Sequence, residues 1–136
     1  MRKSTITATF DSDIQKVWDV VTDYRNYAWR SDLSKISIPL NGPSNGPYFI
    51  ERDKKGFPTL FTVTLEIPCE RYEFDISNDN LSGHWVGLFS QSGSKTQVIF
   101  TEKIKVRNPI MNLFVGSYLK KQQATYIADL RKALGE

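Results

Sequence analysis

Apolar and polar positions alternate through most of this chain, and the period changes only near its end. Ile6, Ala8 and Phe10 alternate with Thr5, Thr7 and Thr9, which predicts a first strand with one buried face. Ile14, Val17, Trp18 and Val21 then recur at helical spacing, with Asp11 or Ser12 as cap and Ser12 to Gln15 at capping-box spacing. Asp23-Tyr24-Arg25-Asn26-Tyr27-Ala28-Trp29 reads as a second, ring-rich helical turn. Alternation returns at Ile36, Ile38 and Leu40, ahead of the turn-forming residues 41–47. Four more strands are predicted: Tyr48 to Arg52, Phe61 to Ile67, Tyr72 to Ile76, and Leu81 to Gln91.

The last strand, TQVIFTEKIKV from Thr96 to Val106, puts Val98, Phe100, Ile104 and Val106 on one face. Glu102 falls on that apolar face as well. Beyond it the period becomes helical. Asn108 suits an N-cap, Pro109 the first turn, and Gly135 the C-terminal cap. Apart from Gly116, nothing between them breaks a helix, so one helix nearly ~40 Å long is expected. Phe114, Val115, Leu119, Ile127, Leu130 and Leu134 supply its apolar side, and Lys120, Lys121, Asp129, Arg131 and Lys132 its wet side.

The expected architecture is α+β: one strand, two short helices, then the remaining strands and the long C-terminal helix. That makes a curved antiparallel sheet of about six to seven strands wrapped around the last helix. The apolar faces of sheet and helix must cover each other, and a twisted sheet cannot follow a straight rod along its whole length. A space between them follows. With 136 residues and no dividing linker, residues 1–136 form one domain.

Composition adds two points. Aromatic residues reach 12%, enough to line a large interior. The net charge of +3 is spread over small groups, which favours a solvated surface over a nucleic-acid site. With a single Cys69, no leader-like N-terminus and no apolar run of membrane length, the expectation is a cytoplasmic protein without an internal disulfide.

The stretch DIQKVWDVVTDYRNYAWRSDLSKI (Asp13 to Ile36), the strand KTQVIFTEKIKV with its Glu102, and the closing IADLRKAL together resemble the SRPBCC superfamily. These are the START-like or helix-grip proteins, including pollen allergens and the polyketide cyclase/dehydrase branch. The resemblance spans essentially the whole chain and marks a fold, not a catalytic signature. It implies a deep cavity between sheet and C-terminal helix that receives apolar or amphipathic small molecules. Function varies widely on this fold.

Metal, cofactor and nucleophile chemistry find little footing. His84 and Cys69 each stand alone, no Ser lies in a nucleophile elbow, and no glycine run has the form of a phosphate loop. No cofactor and no metal are expected. Should Trp85, Gly87 and Phe89 face inward, His84 points outward. The inward faces offer Phe61, Val63, Leu65, Tyr72, Phe74, Trp85, Phe89, Val98 and Phe100, with Phe114, Tyr118 and Gln122 from the long helix and Tyr27 and Trp29 near an entrance. The same side chains would serve equally to pack a dry core.

From these, the expected ligand-binding residues are Trp29, Phe61, Val63, Tyr72, Phe74, Trp85, Phe100, Glu102, Phe114, Tyr118 and Gln122. Glu102 is also the one weak candidate for catalysis. A buried carboxylate must be paired or hold its proton more tightly. It is open whether Glu102 joins an internal ion pair with Arg30 or Arg52, orients a ligand, or acts as a general acid/base. Binding or transport of a hydrophobic or amphipathic small molecule, a lipid or polyketide-like compound, is the leading expectation. A cyclase/dehydratase-type enzyme and a protein-interaction module are the alternatives. Transient membrane contact and a monomeric or homodimeric state fit each of these.

Overall fold

A computed structural model describes residues 1–38 and 47–136. Seven strands form one antiparallel sheet in the order β1-β7-β6-β5-β4-β3-β2. They are β1 (Arg2–Phe10), β2 (Leu33–Ser37), β3 (Tyr48–Asp53), β4 (Pro58–Ile67), β5 (Arg71–Ser77), β6 (Leu81–Ser92) and β7 (Lys95–Val106). Helix α1 (Ile14–Thr22) follows β1, and α2 (Pro109–Asn112) and α3 (Val115–Ala133) end the chain. From β2 to β7 each strand pairs with the next, and β1 closes against β7, the last. The first strand is thereby placed beside the final helix, which packs on it.

The alternation predicted for β1 and β7 is the one observed: Ala8, Phe10, Val98, Phe100 and Ile104 are buried. Helix α1 contributes Val17 and Trp18 to this core, and α3 contributes Val115, Leu119, Ile127, Leu130 and Leu134. Polar clasps help to fix α3. Gln123 Nε2 donates to the Ser4 carbonyl (2.9 Å) while Ser4 Oγ donates to Gln123 Oε1 (2.7 Å). At the other end, the Glu136 carboxylate accepts from the Asp11 and Ser12 backbone N–H groups and from the Ser12 hydroxyl.

Four local expectations are corrected. The N-cap of α1 is Asp13, whose Oδ1 accepts from Lys16 N at 2.9 Å; Ser12 is engaged by Glu136 instead. Residues 23–29 form turns, not a second helix after β1. There Asp23 Oδ1 captures the N–H groups of Arg25 and Asn26, offering the backbone an alternative to helix. The C-terminal helix is interrupted at Leu113 and Phe114, whose N–H groups bond three residues back, so the first turn tightens and α3 starts afresh. In β4, a register shift between Val63 and Leu65 turns Leu65 outward to 38% exposure, although it was expected on the inner face. Leu40 and the turn at 41–46 lie outside the described residues.

Candidate functional site

Between the concave face of the sheet, α3 and the loop joining α1 to β2 lies a cavity of about 100 Å³. Ten of the seventeen aromatic side chains line it. Eight of them touch in sequence as a belt. Trp29 meets Tyr126 edge-on (5.4 Å between centroids), Tyr126 meets Phe100 (5.7 Å), and Phe100 meets Trp85 (4.8 Å). Trp85 stacks on Phe74 (4.7 Å), Phe74 abuts Phe61 (5.2 Å), Phe61 stacks on Phe49 (5.1 Å), and Phe49 on Tyr24 (5.1 Å). Strands β3 to β7 each place one ring at the same level of the curved sheet, because cross-strand partners such as Phe49 and Phe61, or Phe74 and Trp85, sit directly opposite. Gly87 is part of this construction. A Cβ there would lie 2.5 Å from Trp85 Cη2, so only glycine lets the indole fold back along its own strand.

The polar part of the cavity is small and mostly acidic. Arg30 lies over the Tyr126 ring (4.8 Å) and the Trp29 ring (5.7 Å). Its Nε and Nη2 each donate to the Asp32 carboxylate at 3.1 Å, and Nη1 donates to Glu51 at 3.4 Å. Only 12% of the Arg30 side chain and 14% of the Glu51 side chain remain exposed. Burial alone would weaken Arg30's charge, but Glu51 and the other neighbours outweigh it and hold the guanidinium firmly protonated. Burial pushes Glu51 upward from its ordinary range, with Arg30 opposing. It also raises the phenols of Tyr126 and Tyr72, which stay neutral.

Glu102 sits in β7 opposite Ser4 on one side and Trp85 on the other, and it lines the cavity. Among the described residues its carboxyl group has no hydrogen-bond partner. Burial first, and then the charge of Glu51, push its pKa up to about 7, with Arg30 only partly compensating. The inward Glu102 is therefore neither a surface side chain nor half of a closed ion pair. Arg30 pairs with Asp32 and Glu51, and Arg52 Nη1 donates instead to the Gly56 carbonyl at 3.2 Å.

Trp29, Phe61, Tyr72, Phe74, Trp85, Phe100, Glu102 and Gln122 all border the cavity, as does Tyr27. Val63 is buried in the core beside it and lines a separate groove with Tyr72. Phe114 and Tyr118 lie outside, 67% and 58% exposed, because the start of α3 turns Val115 and Leu119 into the core and leaves these two, four residues apart, on the other side of the helix. Glu51, Tyr126 and Phe49 carry no signal in the sequence pattern, because their places in the site rest on pairing across distant segments. His84 lies on the outer face, its Nε2 and Nδ1 each 2.7 Å from Glu73 and Asp75. Among the described residues, no group of three His, Cys, Asp or Glu side chains is placed to hold a metal ion.

No protein-family model and no curated protein matches this sequence. The likeness is to solved structures. A START superfamily protein from Mycobacterium smegmatis superposes with a TM-score of 0.79 at 14% identity, over 96% of this chain and 95% of that one. A conserved protein from Geobacillus kaustophilus gives 0.80 at 12% identity, over 98% and 95%. The di-domain ARO/CYC protein BexL, from the BE-7585A biosynthetic pathway, gives 0.79 at 11% identity over 99% of this chain and 47% of its own. The chain thus has the START-like helix-grip fold, and it spans about half the length of the di-domain protein BexL.

Proposed function

We propose that the protein binds a small amphipathic molecule, ring-sized rather than chain-length, in the cavity between sheet and α3. The belt of eight rings enclosing the unpartnered carboxyl of Glu102 carries this reading. Apolar walls with a few convergent polar groups are the usual make-up of a ligand site. A volume of about 100 Å³ is well below that of a typical drug-sized pocket, so a long-chain lipid would require the rings to move apart. Native mass spectrometry of protein from its own host, followed by thermal unfolding with the recovered molecule, tests the proposal. A bound small molecule that raises Tm supports it; protein that carries nothing and gains no stability from any small aromatic would sink it.

A second reading is acid/base catalysis of the cyclase or dehydratase kind. The position of Glu102 near neutrality favours it, because a general acid/base works best when its pKa is near the ambient pH. The fold shared with BexL points the same way. With a substrate in hand, a Glu102→Gln variant of unchanged turnover would exclude it.

Delivery at a membrane surface suits the binding reading. Between Lys103 and Ala128 the chain has five cations and no acid. The same stretch carries the exposed Ile110 (70%) on α2, and Leu113 (72%) and Phe114 (67%) at the interruption between α2 and α3. Apolar side chains framed by lysine and arginine fit an anionic bilayer. Sedimentation with vesicles should show binding to anionic but not zwitterionic lipid, lost in Leu113→Ser/Phe114→Ser; equal behaviour of the two vesicle types would refute it.

A further inference from the structure

Among the described charged side chains lining the cavity, only Glu102 has no hydrogen-bond partner. Glu51 from β3 is a second carboxylate, close enough to raise the proton affinity of Glu102 from β7. Among the described residues Arg30 is the one cation lining the cavity, and three of its N–H groups are already given to Asp32 and Glu51. Gln123 is spent on Ser4 and on the Phe100 carbonyl. Asp23 accepts from its own turn. That leaves one carboxyl group without a donor, Glu102, which shares the cavity lining with Trp85, Phe100 and Tyr126.

We infer that the molecule this cavity takes carries a protonated amine, which donates to Glu102 while its hydrocarbon part lies against the neighbouring rings. The inference rests on the binding reading above and narrows it to a chemical class. An anion would approach two carboxylates in a site poor in water, where repulsion is strong. A neutral apolar molecule would force Glu102 to keep a proton, with nothing to answer it. An ammonium satisfies the carboxylate, separates it electrostatically from Glu51, and gains cation–π attraction from the belt.

The charge state of the site sets the pH dependence. Glu102 titrates near 7, and the charged or titratable groups around it are Glu51, Arg30 with its partner Asp32, Tyr126 and Tyr118. The phenols stay neutral and Arg30 stays charged, so ionisation of Glu102 is what an incoming ammonium gains from as pH rises.

The test uses three probes of one shape, benzylamine, benzyl alcohol and benzoate, titrated against the full chain by intrinsic tryptophan fluorescence, to which the cavity residues Trp29 and Trp85 contribute beside Trp18. At about pH 8, benzylamine should bind roughly tenfold more tightly than benzyl alcohol, the value of a charge-assisted hydrogen bond, and benzoate should be weakest. The amine's advantage should shrink by about pH 6 and vanish in Glu102→Gln, checked for native circular dichroism. Equal binding of alcohol and amine, or a ranking that survives Glu102→Gln, would overturn the amine assignment and leave the binding reading standing. Tightest binding of benzoate would do the same. If none of the three binds to the native chain, both fall together.

Discussion

Ser31 gives two hydrogen bonds to a single oxygen: its backbone N–H and its hydroxyl both lie 2.8 Å from Asp129 Oδ2. Asp129 is buried on α3, so this contact ties the loop between α1 and β2 to the last helix. Trp29 and Arg30, the two residues before Ser31, are thereby held against Tyr126 one turn earlier on the same helix. Asp129→Ala removes the shared acceptor of two part-buried hydrogen bonds from Ser31, at a cost of about 0.5–1.5 kcal/mol each. Urea unfolding should show that loss, and the Trp29 environment should loosen with it. A midpoint within error of wild type would show that the clasp does not hold the loop.

Two glycines give opposite expectations. Gly87→Ala would set a methyl 2.5–2.7 Å from the Trp85 ring and 3.3 Å from Phe100 Cδ1. The indole must rotate, at the ~1–3 kcal/mol typical of overpacking, and the ring belt opens where Phe74 and Phe100 flank it. Gly116, in the first turns of α3, has nothing within 4 Å of a built Cβ. Gly116→Ala should therefore stabilise by about 0.5–1 kcal/mol through helix propensity. Thermal unfolding separates the two, and near-ultraviolet circular dichroism should change only for Gly87→Ala.

Period-two alternation sufficed to place six of the strands and to put Phe61, Phe74, Trp85, Phe100 and Glu102 on one face, because burial of one sheet face constrains register strongly. It failed at Leu65, where a bulge inserts a residue that no pattern in Phe61 to Ile67 announces. Helical periodicity ran through Leu113 and Phe114 because apolar residues fit a buried helix and an exposed interruption equally well. The acidic character of the cavity was illegible for a different reason. Glu51 lies in a strand whose pattern treats it as ordinary, and only the approach of Arg30, 21 residues earlier, brings it into the site. Single-residue anomalies such as Glu102 were readable; partnerships were not.

On the outer face, His84 is held between Glu73 and Asp75. Partial burial works against its charge, yet the two carboxylate hydrogen bonds outweigh that and raise its pKa. The hydrogen bond from His84, with Arg71 adding to it, lowers Glu73 against the opposing effect of burial. A raised histidine stabilises the fold below its unfolded pKa and loses that contribution as pH rises through the folded value. A lowered carboxylate stabilises above its unfolded pKa and loses that contribution in acid. The cluster is most effective in mildly acidic solution. The destabilisation caused by His84→Gln should then be greater at about pH 5.5 than at about pH 8.5, and a pH-independent difference would show that the imidazole is not charged in this cluster.

Glu102 has the opposite linkage. Its folded pKa of about 7 lies above the ordinary carboxylate value of 4.5, so the native state holds the proton more tightly than the unfolded chain does. Stability is unaffected below the lower value, falls as pH rises between the two, and stays reduced above the higher one. Glu102→Gln keeps the shape and removes the titration. The variant should therefore gain on the wild type from about pH 5 to about pH 8, by roughly 2–3 kcal/mol. Such a gain at the expense of binding is the usual trade where a site keeps a charge that the fold alone would not. Chemical denaturation of both proteins at the two pH values measures it. A difference that does not move with pH would mean that Glu102 is solvated like any surface carboxylate, and the amine-binding proposal would lose its anchor.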